Sequence, residues 1–285
     1  ETVQMPQTLT GLLPYPVDEQ MKILSLCSGY GGLDMAVENH FSAKTAYWSD
    51  VDETACAVME ARFPDAEPVG DLTELDDRKF DCSMLVAGYP CQPYSQAGKL
   101  LGENDERNLW PYIANTIGVS RPQWVILENV SNHVNIGGPA VIASLASMGY
   151  SDIRWGVIPA SAALAPHKRK RLFIVANTEG AEWESAQHEH MGASFRSAPE
   201  SRERPSAIGW GKYGPVIRRW ERVLGRPAPD PITDGKLSAV FVEWLMGLPF
   251  QGFVTDVAAS RAKALACLGN GVVPQQAALA LELLT

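Results

Sequence analysis

Five short segments of the 285-residue chain carry residue types whose spacing could do chemistry. In the first, Leu24-Ser-Leu-Cys-Ser-Gly-Tyr-Gly-Gly-Leu-Asp34, an apolar strand runs into a glycine-rich turn and then a helix. Glycine at such a turn reaches positive φ and lets the backbone approach a ligand closely. Asp50 and Asp52 follow about 20 residues on, where an acidic side chain can accept hydrogen bonds from ribose hydroxyls. The pattern is not GxGxxG, because Asp34 stands where the third glycine would be, and an ordinary strand-to-helix turn reads the same way. In the second segment, Ala87-Gly-Tyr-Pro-Cys-Gln-Pro-Tyr-Ser-Gln-Ala-Gly-Lys99, an apolar strand ends and Pro90-Cys91 opens a loop. Structural cysteines are usually buried inside an element. Cys91 instead stands where open α/β sheets place reactive groups, and the polar residues 92–107 suit a lid.

The third segment, Trp124-Val-Ile-Leu-Glu-Asn-Val130, puts Glu128 at the end of an apolar strand. A partly desolvated carboxyl there has a raised pKa and could donate a proton, although a capping or ion-paired glutamate fits equally. In the fourth, Pro166-His-Lys-Arg-Lys-Arg-Leu-Phe-Ile-Val-Ala176, a basic cluster enters a strand, and Arg169 and Arg171 share a face at period two. Arginine can hold a carbonyl oxygen or a phosphate in fixed geometry; a solvated basic edge is the alternative. The fifth, Leu268-Gly-Asn-Gly-Val-Val-Pro274, reads as a tight turn before a helix.

These residues need a scaffold, and the apolar pattern supplies one. Strand-like runs at 22–26, 45–48, 82–87, 124–127 and 172–176 alternate with helical patterns at 33–40, 53–62, 109–119 and 139–148. Strands this apolar between helices predict a doubly wound, mostly parallel α/β sheet, with ligands beyond the carboxyl ends of its strands. From 177 to 236 the chain turns rich in Glu, Ser, Arg, Gly and Pro and reads as irregular. Helical patterns return at 237–246 and 274–284. We therefore expect a catalytic domain at 1–176, a small irregular domain at 177–271, and residues 272–285 packing back onto the first.

Composition bounds the partners. The net charge of −9 argues against a protein that coats nucleic acid, but clustered basic residues can still make a local patch. Residues 201–226 hold seven Lys/Arg (Arg202, Arg204, Lys212, Arg218, Arg219, Arg222 and Arg226) against two Glu. That segment suits phosphate contact; a solvated insertion would read alike on charge alone. The five cysteines show no ligand spacing, so no metal is expected, and they fit a reducing compartment. No apolar run approaches the ~20 residues of a membrane span. The first 20 residues read as a loosely held arm without a signal-peptide pattern.

Taken in order, the five segments resemble the DNA (cytosine-5)-methyltransferase family, in its compact phage and bacterial form. The resemblance runs from Leu24 to about Leu284, omitting the N-terminal arm and residues 177–236. GYPCQPYSQAGK is its most specific part, followed by ILENV, PHKRKRLFIVA and LGNGVVP. It implies a Rossmann-like S-adenosylmethionine-dependent fold with a target-recognition domain in the second half. It implies Cys91 as the nucleophile at C6 of cytosine, Glu128 as the group binding N3 and the exocyclic amine, and Arg169 and Arg171 beside the flipped base. Donor contacts fall to Cys27, Ser28, Gly29, Gly31 and Gly32, to Asp50 and Val51, to Asp71, Leu72 and Pro90, and to Asn270 and Gly271. DNA contacts fall to Gln92, Ser95, Lys99, Arg218 and Arg219. The family usually has Phe where Cys27 stands, an aromatic where Val51 stands, and Gln where His167 stands.

The implied reaction is methylation of C5 of cytosine, with S-adenosyl-L-homocysteine as the other product, on double-stranded DNA containing cytosine. The implied setting is a monomer in the cytoplasm of a bacterium or phage-infected host, off any membrane. Two other readings stand beside it: a catalytically silent methyltransferase-like DNA-binding protein, and a nicotinamide-dependent oxidoreductase on the same fold. The second leaves Pro90-Cys91-Gln92 and Glu128-Asn129-Val130 unexplained.

Overall fold

The computed structural model describes residues 20–90, 108–178 and 209–285. Seven strands form one sheet: β1 Lys22–Leu26, β2 Lys44–Ser49, β3 Glu67–Pro68, β4 Met84–Gly88, β5 Trp124–Val130, β6 Asp152–Pro159 and β7 Lys170–Asn177. Their order is β3-β2-β1-β4-β5-β7-β6. β1 to β5 pair in parallel, while β7 runs antiparallel to both β5 and β6. The chain winds outward from β1 through β2 and β3, then crosses back to β4. The winding therefore reverses between β1 and β4, the place where doubly wound sheets bind ligands.

Both faces of the sheet are covered, which explains the unbroken apolar runs. Alternate residues feed opposite cores. Leu24, Leu26, Leu85, Ala87, Val125 and Leu127 join Ile113 and Ile117 of α3 (Trp110–Ser120) and Leu145 of α5 (Gly138–Ser147) on one side. Ile23, Met84, Val86 and Ile126 meet Ala36 and Val37 of α1 (Gly32–Phe41) on the other. The last helix, α9 (Pro274–Leu284), closes that second core with Ala277, Ala280 and Leu281. The remaining helices in chain order are α2 (Glu53–Arg62), α4 (His133–Ile136), α6 (Gly214–Leu224), α7 (Ala239–Leu245) and α8 (Arg261–Asn270).

A third core gathers Ile217 and Trp220 of α6, Phe241 and Trp244 of α7, Phe253, and Cys267 and Leu268 of α8 around Tyr30 and Val58. Glu243 is fully buried in it and accepts backbone N–H groups from Gly252, Phe253, Val254 and Thr255.

Three features depart from the sequence reading. β6 was read as no element; it is an edge strand with Arg154 and Gly156 inside it, and half-exposed side chains blur its alternation. The short β3 is also new. The stretch read as irregular holds the 11-residue helix α6, with Pro in its first turn and Gly225 in left-handed conformation at its end. By length and hydropathy alone residues Arg261–Leu284 would pass for a membrane span, but they form two helices, α8 and α9, and 61% of the apolar 18-residue window is buried inside the protein.

Candidate active site

A cleft of about 1100 Å³ opens at the carboxyl ends of β1, β4 and β5. Its first wall is the turn after β1. Cys27 leaves the strand at φ 52 and Gly29 follows at φ 58. A side chain at Gly29 would meet nothing nearby, so this stretch of backbone faces open space. Asp50, at the end of β2, holds the turn: its Oδ2 accepts from Gly29 N at 2.8 Å and its Oδ1 from Asp52 N at 2.9 Å. Asp52 instead caps α2 by accepting from Thr54 and Ala55 N–H, so the two acids have different tasks.

Asp71 caps the short helical turn Leu72–Glu74; Thr73 N and Thr73 Oγ1 both bond its Oδ1, leaving Oδ2 out of the turn. Ser28, Val51, Leu72 and Pro90 also line the cleft, as do Asn270 and Gly271 from the far wall.

Glu128 lies at the floor, with β5 in register so that it pairs with Gly88 of β4. It is 5% exposed, and Arg171 Nε from β7 stands 2.7 Å from its Oε1 as an ion pair. Burial pushes the Glu128 carboxyl up to about 7, while the charges of Arg171 and Arg169 oppose that rise. The next residue, Asn129, donates to the Tyr89 carbonyl at 3.1 Å, and Tyr89 Oη lies 2.9 Å from His133 Nε2. Those contacts anchor the backbone that leads into Pro90.

Three described residues expected at the donor or the base lie elsewhere than the cleft lining. Gly31 packs against Phe63 and Met59, and Gly32 against the Val272 carbonyl, so both are needed for close packing. Arg169 is also outside the lining, and its guanidinium donates to the carbonyls of Gly269 (2.8 Å) and Gly271 (2.6 Å). Cys91, Gln92, Ser95 and Lys99 lie outside the described residues, as do Arg202, Arg204 and the N-terminal arm.

On α6, Arg218 and Arg222 are exposed, while Arg219 Nε bonds the Leu164 carbonyl and Arg226 the Leu248 carbonyl. Lys212 sits over the Tyr213 ring.

The model of the family C-5 cytosine-specific DNA methylase matches residues 21–208, more than half of the chain. The chain belongs to that family. Among curated relatives it is 34% identical over 160 residues to the Type II methyltransferase M1.ScrFI of Lactococcus lactis subsp. cremoris, covering 54% of this chain and 41% of that protein. It is 30% identical over 177 residues to the Type II methyltransferase M.NlaIV of Neisseria lactamica, covering 56% and 42%. The chain thus matches less than half the length of these two relatives. In fold it is similar to S. pombe Dnmt2 methyltransferase, with a TM-score of 0.64, 17% identity, and 93% and 98% of the two chains covered. The Entamoeba histolytica methyltransferase EhMeth gives 0.65 at 15% identity over 94% and 98%.

Proposed function

We propose that this chain methylates C5 of cytosine in DNA, with S-adenosylmethionine as donor and Cys91 as transient covalent nucleophile. One observation carries the reading: a nearly buried carboxyl, Glu128, ion-paired to Arg171, shares a cleft with the ribose-competent carboxylate Asp50.

The donor fits these residues. Asp50 retains lone pairs beyond its two backbone bonds and can accept from ribose hydroxyls. Asp71 Oδ2 is available to an adenine amine. The open space before Gly29 lets a ligand lie against backbone. When bound, S-adenosylmethionine would supply an electrophilic methyl group.

The chain's own groups do the rest. C5 of cytosine is a poor nucleophile until a thiolate adds at C6. Cys91 makes that bond while Glu128, protonated near neutral pH, donates to N3 and takes up the developing charge. Arg171 holds Glu128 in place and stands within the same cleft to bind the base O2. Once C5 is methylated, a base removes its proton, the ring regains its double bond and the Cys91 thiolate leaves. The base must leave the stack to reach this site, at a cost of a few kcal/mol.

Double-stranded DNA would lie against the 177–271 part, where α6 presents Arg218 and Arg222. Residues 1–176 with α9 would form the catalytic part, acting as a monomer in the cytoplasm of a bacterial or phage-infected cell. Bisulfite sequencing of DNA from cells expressing the chain tests the reading. Protected cytosines in one sequence context are expected; complete conversion, with the protein present and folded, would refute it.

A further inference from the structure

Tyr30 and Arg169 lie outside the cleft lining, and both reach the turn that forms its far wall. Tyr30 is fully buried and does not line the cleft. Its hydroxyl donates to the Val272 carbonyl at 2.6 Å. Its ring fills the space that a side chain at Gly271 would need, and Gly32 in turn lies against the Val272 carbonyl, where a Cβ would overlap it. The glycine turn after β1 and the turn 269–272 therefore interlock.

From the other side, Arg169 Nη2 holds the carbonyls of Gly269 and Gly271. Its own backbone sits at φ 26, a region that costs energy for a non-glycine residue. Gln276 Nε2 maintains it by donating at 2.7 Å to both the Arg169 and Ile158 carbonyls. The carbonyls of Gly269, Gly271 and Val272 are thus tied down from behind, while Asn270 and Gly271 line the cleft wall.

We propose that Tyr30 and Arg169 are positioning residues for the methyl donor: together they clamp the turn 269–272 as a fixed wall of the cleft and so set donor affinity without touching donor or base. The proposal rests on the donor-binding reading above. It follows from preorganisation, since a wall held in place before binding need not be ordered at the moment of binding.

The test uses calorimetry with S-adenosylhomocysteine, and steady-state kinetics with S-adenosylmethionine, on the full chain. Tyr30→Phe keeps the ring packing and removes one hydrogen bond; Arg169→Lys keeps the charge but cannot span two carbonyls. Each should weaken S-adenosylhomocysteine affinity and raise the donor KM about three- to tenfold, with kcat at saturating donor held in Tyr30→Phe. Their combined effect should be less than the product of the two, because both act on one turn. Thermal unfolding checks that the variants are folded, and Tyr30→Phe alone suffices if Arg169→Lys is not. Unchanged affinity in folded Tyr30→Phe overturns the proposal. So does a fall in kcat at constant donor KM in Arg169→Lys, which would place Arg169 at the base. Failure of the wild type to bind the probe would refute the donor reading instead.

Discussion

Arg171 Nε stands 2.7 Å from Glu128 Oε1, joining the antiparallel strand β7 to the parallel strand β5 at the floor of the cleft. The reversed strand makes this possible. A parallel neighbour would present its other end, and the basic residues that begin β7 would lie far from Glu128.

That pair predicts the pH dependence of the reaction. Glu128 titrates at about 7 in the free protein, so the proton it gives to N3 is present below that value and lost above it. The kcat/KM profile should fall as pH rises through about 7. Arg171 lowers this pKa, so Arg171→Met should move the falling limb to higher pH as well as reduce the rate. Glu128→Gln should abolish the limb and lower the rate by ~10²–10⁴-fold. A limb that survives Glu128→Gln would assign it to another group.

Asp34 predicts a pH dependence of stability. It is 1% exposed, its Oδ1 has no hydrogen-bond partner among the described residues, and burial raises its pKa to about 7. The folded chain keeps a proton that the unfolded chain releases near the ordinary carboxyl value. Its contribution to stability is therefore full in acid and lost as pH rises through about 7. Asp34→Asn should gain on the wild type in urea unfolding as pH increases from 5 to 8. A constant difference across that range would contradict the assignment.

Glu243 should matter for folding alone. Removing a fully buried carboxylate that caps Gly252, Phe253, Val254 and Thr255 leaves their N–H groups unsatisfied. Glu243→Ala should cost about 3 kcal/mol in chemical denaturation. A loss under about 0.5 kcal/mol would show that water replaces the carboxylate.

The exposed arginines of α6 predict the salt dependence of DNA binding. Arg218 and Arg222 lie one turn apart and both face solvent, whereas Arg219 is occupied by the Leu164 carbonyl. Replacing Arg218 and Arg222 with Ala should flatten the slope of log affinity against log salt by up to about two units. Arg219→Ala should do so less and should lower stability. An unchanged slope in the first variant would move the phosphate contacts off α6.

How far the sequence carried these conclusions varied with burial. β1, β4, β5 and β7 are covered on both faces, so their apolar runs stood out, and the residues at their ends were found with them. Among the described residues β6 pairs only with β7, and its half-exposed side chains erased its period. α6 was missed for another reason: its apolar residues Val216, Ile217, Trp220, Val223 and Leu224 do fall at helical spacing, but the charged residues between them and the glycine- and proline-rich flanks read as an irregular segment. At the site, residue type singled out Asp50, Glu128 and Arg171, which the fold brings into one cleft. It could not separate Asp50 from Asp52, because only the fold shows which one caps α2. Nor could it reveal Tyr30, whose partner Val272 lies 242 positions along the chain.

The most direct test of the central claim is covalent trapping. An oligonucleotide duplex carrying 5-fluorocytosine at the methylated position, incubated with the wild-type chain and S-adenosylmethionine, should give a protein–DNA adduct that survives a denaturing gel. Fluorine cannot leave C5 as a proton does, so the Cys91 thiolate stays bonded to C6. Cys91→Ser should bind the same duplex and form no adduct. An adduct of equal yield with Cys91→Ser, or none with wild-type protein shown to bind the duplex and the donor, would contradict the account.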